Sequence, residues 1–273
     1  MIRKTNIINL FWWSSKHFEN KSQENFGDAV GPYLIKKITG KNVRFIHPKK
    51  RKWNQKISKV LVTAGSILGQ IDKNCIVWGS GLIIKDTKVP KATFLAVRGP
   101  LTRKHLLKQG CTVPEVYGDP AILLPQFYQP KTRKKYKIGI IPHYVDYDVV
   151  HNWYKNEKDI LVINLLNDDI EAIIEQIVSC EKTVSSSLHG IIVSHAYHIP
   201  SCWVKFSENI FGDDIKYYDY FESVNIFNVK CYSLKKMNTT LGLLSYEFNT
   251  CDTSKIDEIC NGLQIALLTL KFI

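Results

Sequence analysis

The 273-residue chain contains no apolar run near the roughly 20 residues that cross a bilayer, which argues against a membrane-spanning helix. Its opening stretch, Met1–Trp13, lacks both a long unbroken apolar core and a small-residue cleavage site, so a β-strand is expected there rather than a signal peptide. Without a secretory signal, the sequons at Asn20 and Asn238 carry little weight. The seven cysteines are odd in number, scattered and never spaced C-x-x-C, which argues against a disulfide framework and a zinc ribbon and for reduced thiols in a cytoplasm. No triplet of His, Asp, Glu or Cys has metal-ligand spacing, so no essential metal is expected. The absence of a G-x-G-x-x-G turn after a strand, and of a P-loop, disfavours nicotinamide and ATP chemistry.

What is present fits a globular protein of one large domain or two ordinary ones: 45% of residues are apolar and 23% charged. Lys and Arg number 37 against 25 Asp and Glu, a formal charge of +12 that points to an anionic partner. Two clusters hold much of the excess: Lys49-Lys-Arg-Lys52 with Lys56 and Lys59, and the segment 131–137. A phosphorylated substrate, an acidic lipid surface and nucleic acid all fit, and so do plain solvated loops. No nucleic-acid motif accompanies the clusters, so nucleic acid ranks last.

Hydrophobic patterning alternates between strand and helix. Strands are expected at Ile7–Trp12, Val43–Ile46, Val60–Thr63, Ile76–Trp78, Phe94–Val97 and Val116–Tyr117, with helices over 25–38 and 101–109. Gly40 and Gly110 stop the two helices. After a polar, Pro-bearing and basic stretch the pattern resumes, with strands at Ile138–Ile141, Ile160–Asn164, Thr183–Ser185 and Cys202–Lys205. Helices are expected between them at 168–180 and 190–198, and an amphipathic helix over 256–272 could pack on either lobe. The expectation is therefore α/β: a lobe over 1–128, a linker at 129–137 and a second lobe over 138–273, each with a parallel sheet covered on both faces. Two such lobes align their strand C-termini, and so their ligand loops, along one cleft.

The richest segment is Thr183-Val-Ser-Ser-Ser-Leu-His189-Gly190, a strand end, a hydroxyl-rich turn and a helix start. The free N–H groups of a helix N-terminus attract anions, and Ser185, Ser186, Ser187 and His189 stand where one would sit. Simple capping by the serines and a satisfied core imidazole explain the segment as well.

Read together, Asn25-Phe-Gly-Asp28, Thr63-Ala-Gly-Ser66, Trp78-Gly-Ser-Gly81, Val97-Arg-Gly-Pro-Leu-Thr-Arg103, Tyr117-Gly-Asp-Pro120 and Ser185-Ser-Ser-Leu-His-Gly190 resemble the polysaccharide pyruvyltransferase family. The resemblance covers about residues 25–206 in the family's order. It implies two Rossmann-like lobes in a GT-B-like arrangement. It also implies a transferase that adds pyruvate from phosphoenolpyruvate, a co-substrate rather than a cofactor, as a ketal to a sugar of a surface polysaccharide or its lipid-linked precursor. The implied partners are an anionic donor and a saccharide acceptor. The implied place is the cytoplasm, with loose peripheral contact at the inner membrane face. One departure matters: the family often has Arg before Leu-His-Gly, where this chain has Ser187. Either another base compensates, or the donor differs, as in a GT-B glycosyltransferase using a nucleotide sugar. A non-enzymatic anion binder using the lysine clusters is a third reading.

Such chemistry needs fixed cations, an acid or base near neutrality and a hydroxyl-orienting carboxylate. Arg98, at a strand end before Gly99-Pro100, is the expected anion clamp, ahead of Arg103 inside the following helix. His189 is the expected general acid or base, since histidine titrates near neutral pH. Asp28 is the candidate for orienting or deprotonating the acceptor, although helix-start preferences explain Asn25 and Asp28 equally. Asp119, between Gly118 and Pro120, is expected to brace the cleft. Gly27, Gly65, Ser66, Gly79, Ser80, Gly81, His143, Leu188 and Gly190 complete the candidate contacts. The reading predicts one crevice in which Arg98 and His189 converge on the same small anion.

Overall fold

The computed structural model describes residues 6–51, 58–234 and 239–270. Lys52, Lys56 and Asn238, singled out above, lie outside the described residues, as does the end of the helix expected to run to 272.

The first sheet comprises β1 (Ile7–Phe11), β2 (Asn42–Phe45), β3 (Val60–Val62), β4 (Cys75–Trp78) and β5 (Thr93–Ala96), in the order β2-β1-β3-β4-β5. The second comprises β6 (Tyr136–Ile141), β7 (Ile160–Val162), β8 (Cys180–Ser185), β9 (Ser201–Lys205) and β10 (Tyr232–Ser233), in the order β7-β6-β8-β9-β10. Every strand pair in both is parallel. The lobes thus repeat one 2-1-3-4-5 winding. In each, the direction of strand addition reverses between the first strand and the third, β1/β3 and β6/β8. Strand ends at such a reversal diverge and leave a crevice where ligands bind.

The helices are α1 (Ser15–Phe18), α2 (Phe26–Thr39), α3 (Pro100–Lys108), α4 (Tyr147–Tyr154), α5 (Ile170–Val178), α6 (Leu188–Ala196), α7 (Ile215–Ser223), α8 (Thr240–Leu244) and α9 (Thr253–Leu268). α2 starts one residue after Asn25 and ends at Gly40, whose φ of 65° is the left-handed C-cap that glycine accepts without penalty. α6 is buried along its whole length, its apolar Ile191–Val193 flanked by buried His189, Ser194 and His195.

Some expected boundaries move. Cys180 opens β8 instead of closing a helix, because Ser179 already ends α5. Val116–Tyr117 forms only an isolated bridge, Tyr117 to Val97. β6 begins at Tyr136, inside the stretch expected to be linker. Two of the five bases in the second cluster are tied down locally: Lys134 donates to the Cys180 carbonyl and Lys137 pairs with Asp159 at 2.8 Å.

The C-terminal helix chooses the first lobe. Trp78 Nε1 donates to the Leu263 carbonyl at 2.8 Å, and a Cβ on Gly118 would fall 2.4 Å from Ile259. Leu263 is fully buried, and truncating such a residue to alanine costs about 2–5 kcal/mol. The lobes are further joined by Tyr33 and Lys37 of α2 on Glu171, at 2.7 and 3.0 Å, and by Lys16 with Asp168. A deeper joint is Asp219 of α7. It accepts from the Thr102 N–H at 2.8 Å, the Thr102 hydroxyl at 2.6 Å and Arg98 Nε at 3.1 Å, capping α3 from the opposite lobe.

Candidate active site

The four strand ends at the two reversal points converge on a single cavity of about 440 Å³, a size typical of small-molecule sites. Trp13 and Glu19 reach it from beyond β1, Gly65 and Ser66 from β3, His143 and Tyr144 from β6, and Ser187, Leu188 and His189 from β8. Asn25 and Asp28 enter from the start of α2, and Lys216 from the start of α7.

His189 sits in the first turn of α6 with Nε2 3.6 Å from Asp119 Oδ2. The other Asp119 oxygen is spent on the Ala121 N–H, where it caps the 3₁₀ helix Pro120–Gln126. Neither Nε2 nor Oδ2 has a hydrogen-bond partner, so at this separation they face one another as an ion pair that forms when the ring is protonated. The opposite side of the ring lies on Gly27: a Cβ there would stand 2.1 Å from Nδ1. Gly27 is therefore glycine to make room for the imidazole, rather than to touch a ligand.

Asp28 accepts from Asn25 Nδ2 at 2.9 Å. Burial pushes its carboxyl up to about 7, helped by the nearby charges of Glu24 and Glu19 and opposed by the Asn25 hydrogen bond and by His189. Lys216 shows the converse. Burial and the neighbouring Arg98 charge bring its ammonium down to about 8, while Asp214 and Asp28 oppose the shift. The His143 imidazole is lowered to about 4 by burial and by Lys216, so it is neutral at pH 7. A carboxyl and an amine are thus both held close to neutrality in one cleft, where enzymes commonly place groups that move protons or bind anions.

Several expected contacts have other work. Arg98 is the main correction. Its side chain is 0% exposed and lies outside the cavity wall, donating to Asp219, to the Ser66 hydroxyl at 2.6 Å and to the Leu82 carbonyl at 2.7 Å. Fully buried, with each guanidinium nitrogen already bonded within the protein, it does not reach the cavity to clamp a ligand anion. It instead holds Ser66, which does line the cavity. The expected meeting of Arg98 and His189 on one anion does not occur; among the described residues that line the cavity, the lysine is Lys216.

Arg103 donates to the Val113 carbonyl and lies 3.8 Å from Glu115, away from the cavity. Ser185 donates within its own turn and Ser186 accepts from the His143 N–H at 2.9 Å, so only Ser187 of the three serines lines the space. Gly190 lies where a Cβ would strike Ser185 and Ile141. Gly79 is packed on Pro120 and Gly81 on the Arg98 guanidinium. The Ser80 hydroxyl and the Gly81 N–H both hold the Gly65 carbonyl, at 2.8 and 3.1 Å. Gly65 itself has φ of 106°, a conformation that requires glycine at the cavity edge.

Sequence reasoning missed Lys216, Glu19, Trp13 and Tyr144. The one available signal for Lys216 was a lone lysine opening the aromatic stretch Ile215-Lys-Tyr-Tyr-Asp-Tyr-Phe221. Among the described residues, no group of three or more His, Cys, Asp or Glu could hold a metal ion, and no helix is long and apolar enough to cross a membrane.

Two doubly wound lobes whose reversal points open on one shared cleft make this a GT-B-like α/β protein. Within that class the chain belongs to the polysaccharide pyruvyl transferase family, whose model matches residues 16–208. The uncharacterized protein L143 of Acanthamoeba polyphaga mimivirus is 34% identical over 225 residues, covering 80% of this chain and 76% of its own. The succinoglycan biosynthesis protein ExoV of Rhizobium meliloti (strain 1021) is 26% identical over 229 residues, 79% of this chain and 65% of its own length. The chain thus spans just under two thirds of ExoV. Among solved structures, the UDP-GlcNAc 2-epimerase of Methanocaldococcus jannaschii, in complex with UDP-GlcNAc and UDP, aligns over 98% of this chain and 93% of its own. Its TM-score is 0.46 and its identity 10%, too distant to bear on the site.

Proposed function

We propose that the protein transfers the pyruvyl group of phosphoenolpyruvate to two hydroxyls of one sugar, forming a cyclic ketal and releasing phosphate. The observation that carries this reading is the meeting, in one cavity of a chain of this family, of Lys216, of Asp28 near neutrality and of His189 backed by Asp119. Lys216 and the free N–H groups opening α6 bind the donor's phosphate and carboxylate, with the Ser187 hydroxyl, which makes no capping bond, as a further donor. Lys216 supplies the charge that Ser187, in place of the family's usual arginine, does not.

Imidazolium His189 protonates the donor's methylene carbon, which becomes the methyl group of the product. The first sugar hydroxyl attacks the adjacent carbon and gives its proton to ionised Asp28. The second hydroxyl closes the ring as the C–O bond to phosphate breaks, and its proton leaves on the phosphate. The proton held by Asp28 returns to His189, so two hydroxyl protons account for one new C–H bond and one phosphate O–H. The acceptor belongs to a polysaccharide or its precursor, and transfer takes place where such precursors are assembled.

Calorimetric titration with phosphoenolpyruvate at millimolar concentration tests the donor, with binding expected in the wild type and weakened by about 10- to 100-fold in Lys216→Met. Heat from a uridine or cytidine nucleotide sugar, with none from phosphoenolpyruvate, would overturn the reading.

A further inference from the structure

We infer that Glu19 selects the acceptor, its carboxylate receiving two neighbouring hydroxyls of one sugar. The inference rests on the ketal-forming reading above and names the acceptor subsite within it. Glu19 follows α1 and lines the cavity. Trp13 Nε1 donates to Oε1 at 2.8 Å from the first lobe, and the Tyr144 hydroxyl donates to Oε2 at 2.6 Å from the second. An ionised carboxylate has about four lone-pair positions. These two bonds occupy one on each oxygen and leave one on each oxygen free. Glu19 therefore presents two acceptors side by side, fixed in orientation by indole and phenol. A cyclic ketal forms only from two hydroxyls close together on one sugar, which is the pair such a carboxylate binds best.

The surroundings match a sugar. Trp13, Tyr144 and Phe211 bring aromatic rings to the same cavity, and Phe211 is 68% exposed, free to lie against the C–H face of a pyranose. Gln70 and Asn209 place amides there for the remaining hydroxyls. Charge sorts the two substrates. Phosphoenolpyruvate is repelled by a carboxylate and drawn to Lys216, whereas a neutral diol is indifferent to Lys216 and is held by Glu19. Asp28 cannot replace Glu19, because in the proposed reaction it must take up a proton during turnover.

The Tyr144 bond to Glu19 also joins the lobes, and a purely architectural tie would look alike, so the test separates binding from stability. Glu19→Gln is made in the full chain and compared with wild type by thermal melting and by calorimetry with phosphoenolpyruvate. Saturation-transfer NMR is then run with methyl glucopyranoside, galactopyranoside and mannopyranoside and their 6-deoxy counterparts. We expect unchanged melting, donor affinity equal or tighter, and at least one glycoside whose signal in the wild type falls by about 10-fold or more in affinity in Glu19→Gln. Tyr144→Phe, which frees one oxygen without removing the charge, should weaken the same glycoside less.

A glycoside signal that survives Glu19→Gln overturns the proposal, as does a wild type that binds phosphoenolpyruvate but no glycoside. So does a variant that loses donor, acceptor and stability together, since that is the behaviour of a tie. Glu19-dependent glycoside binding in a protein that ignores phosphoenolpyruvate would leave the acceptor subsite standing and defeat the donor assignment instead.

Discussion

Replacing Gly27 with alanine should damage catalysis far more than folding, because one methyl group meets two opposed demands. Alanine favours the helix over glycine by about 1 kcal/mol, and Gly27 is the second residue of α2. Against that, the added Cβ would stand 2.1, 2.6 and 2.8 Å from three ring atoms of His189. Carbon contacts settle near 3.5 Å, so the imidazole must retreat by roughly 1 Å. It has little room, since His189 is buried and Asp119 lies on its other side. Overpacking of this kind costs about 1–3 kcal/mol, which the helix gain partly offsets. A displacement of 1 Å in a reacting group costs about 100-fold in rate. The assay is phosphate release from phosphoenolpyruvate with the acceptor, run beside thermal melting and imidazole-detected NMR. Gly262→Ala is the control: it lies in α9, where the new Cβ meets only Val116 at an ordinary 3.5 Å, so activity should hold. Full turnover in Gly27→Ala with unmoved His189 resonances would refute the argument that this glycine exists to seat the ring.

Three further outcomes follow from the buried charges. Asp28 has a folded pKa raised to about 7 from 3.8, so its ionisation penalises the folded state progressively as pH rises between those values. Asp28→Asn should therefore raise the melting temperature more at pH 8.5 than at pH 5, while abolishing transfer; equal shifts at both would contradict the raised value. Lys216 has its ammonium lowered to about 8, so phosphoenolpyruvate affinity should decline as pH rises through that value. Lys216→Met should weaken donor binding by about 10- to 100-fold and flatten the pH profile, read by calorimetry. Asp219→Ala leaves Arg98 charged and buried without its partner, a loss of about 3–5 kcal/mol. It should lower the melting temperature by about 10 °C, and the double variant Arg98→Met with Asp219→Leu should recover much of it; a silent Asp219→Ala would rule out the interlobe joint.

The alternation of strands and helices was legible because parallel strands buried on both faces read as short β-branched runs, and α2 and α5 carry apolar residues at helical spacing. Asp28, His189 and Ser187 were legible because they stand at helix starts after strand ends, which a linear pattern marks. The role of Arg98 was not. Its position at a strand end is visible in the sequence, but its direction is set by Asp219, 121 residues later and on the other lobe. Lys216 was hidden for a related reason. α7 buries tyrosines and an aspartate rather than an aliphatic stripe, so its periodicity is faint. Glu19 gains meaning only once Tyr144 arrives from the second sheet. What escaped the sequence are the contacts that join the lobes.

The route of α9 has a bearing on how the protein is made. Trp78 and Gly118 lie in the first lobe, yet the surface that covers them is residues 253–268, translated well over a hundred residues later. At roughly 5–20 residues per second, the first lobe waits on the order of ten seconds on the ribosome with its apolar flank bare. A nascent chain stalled before residue 253 should then be a client for chaperones, and its dependence on them should end abruptly once that helix emerges.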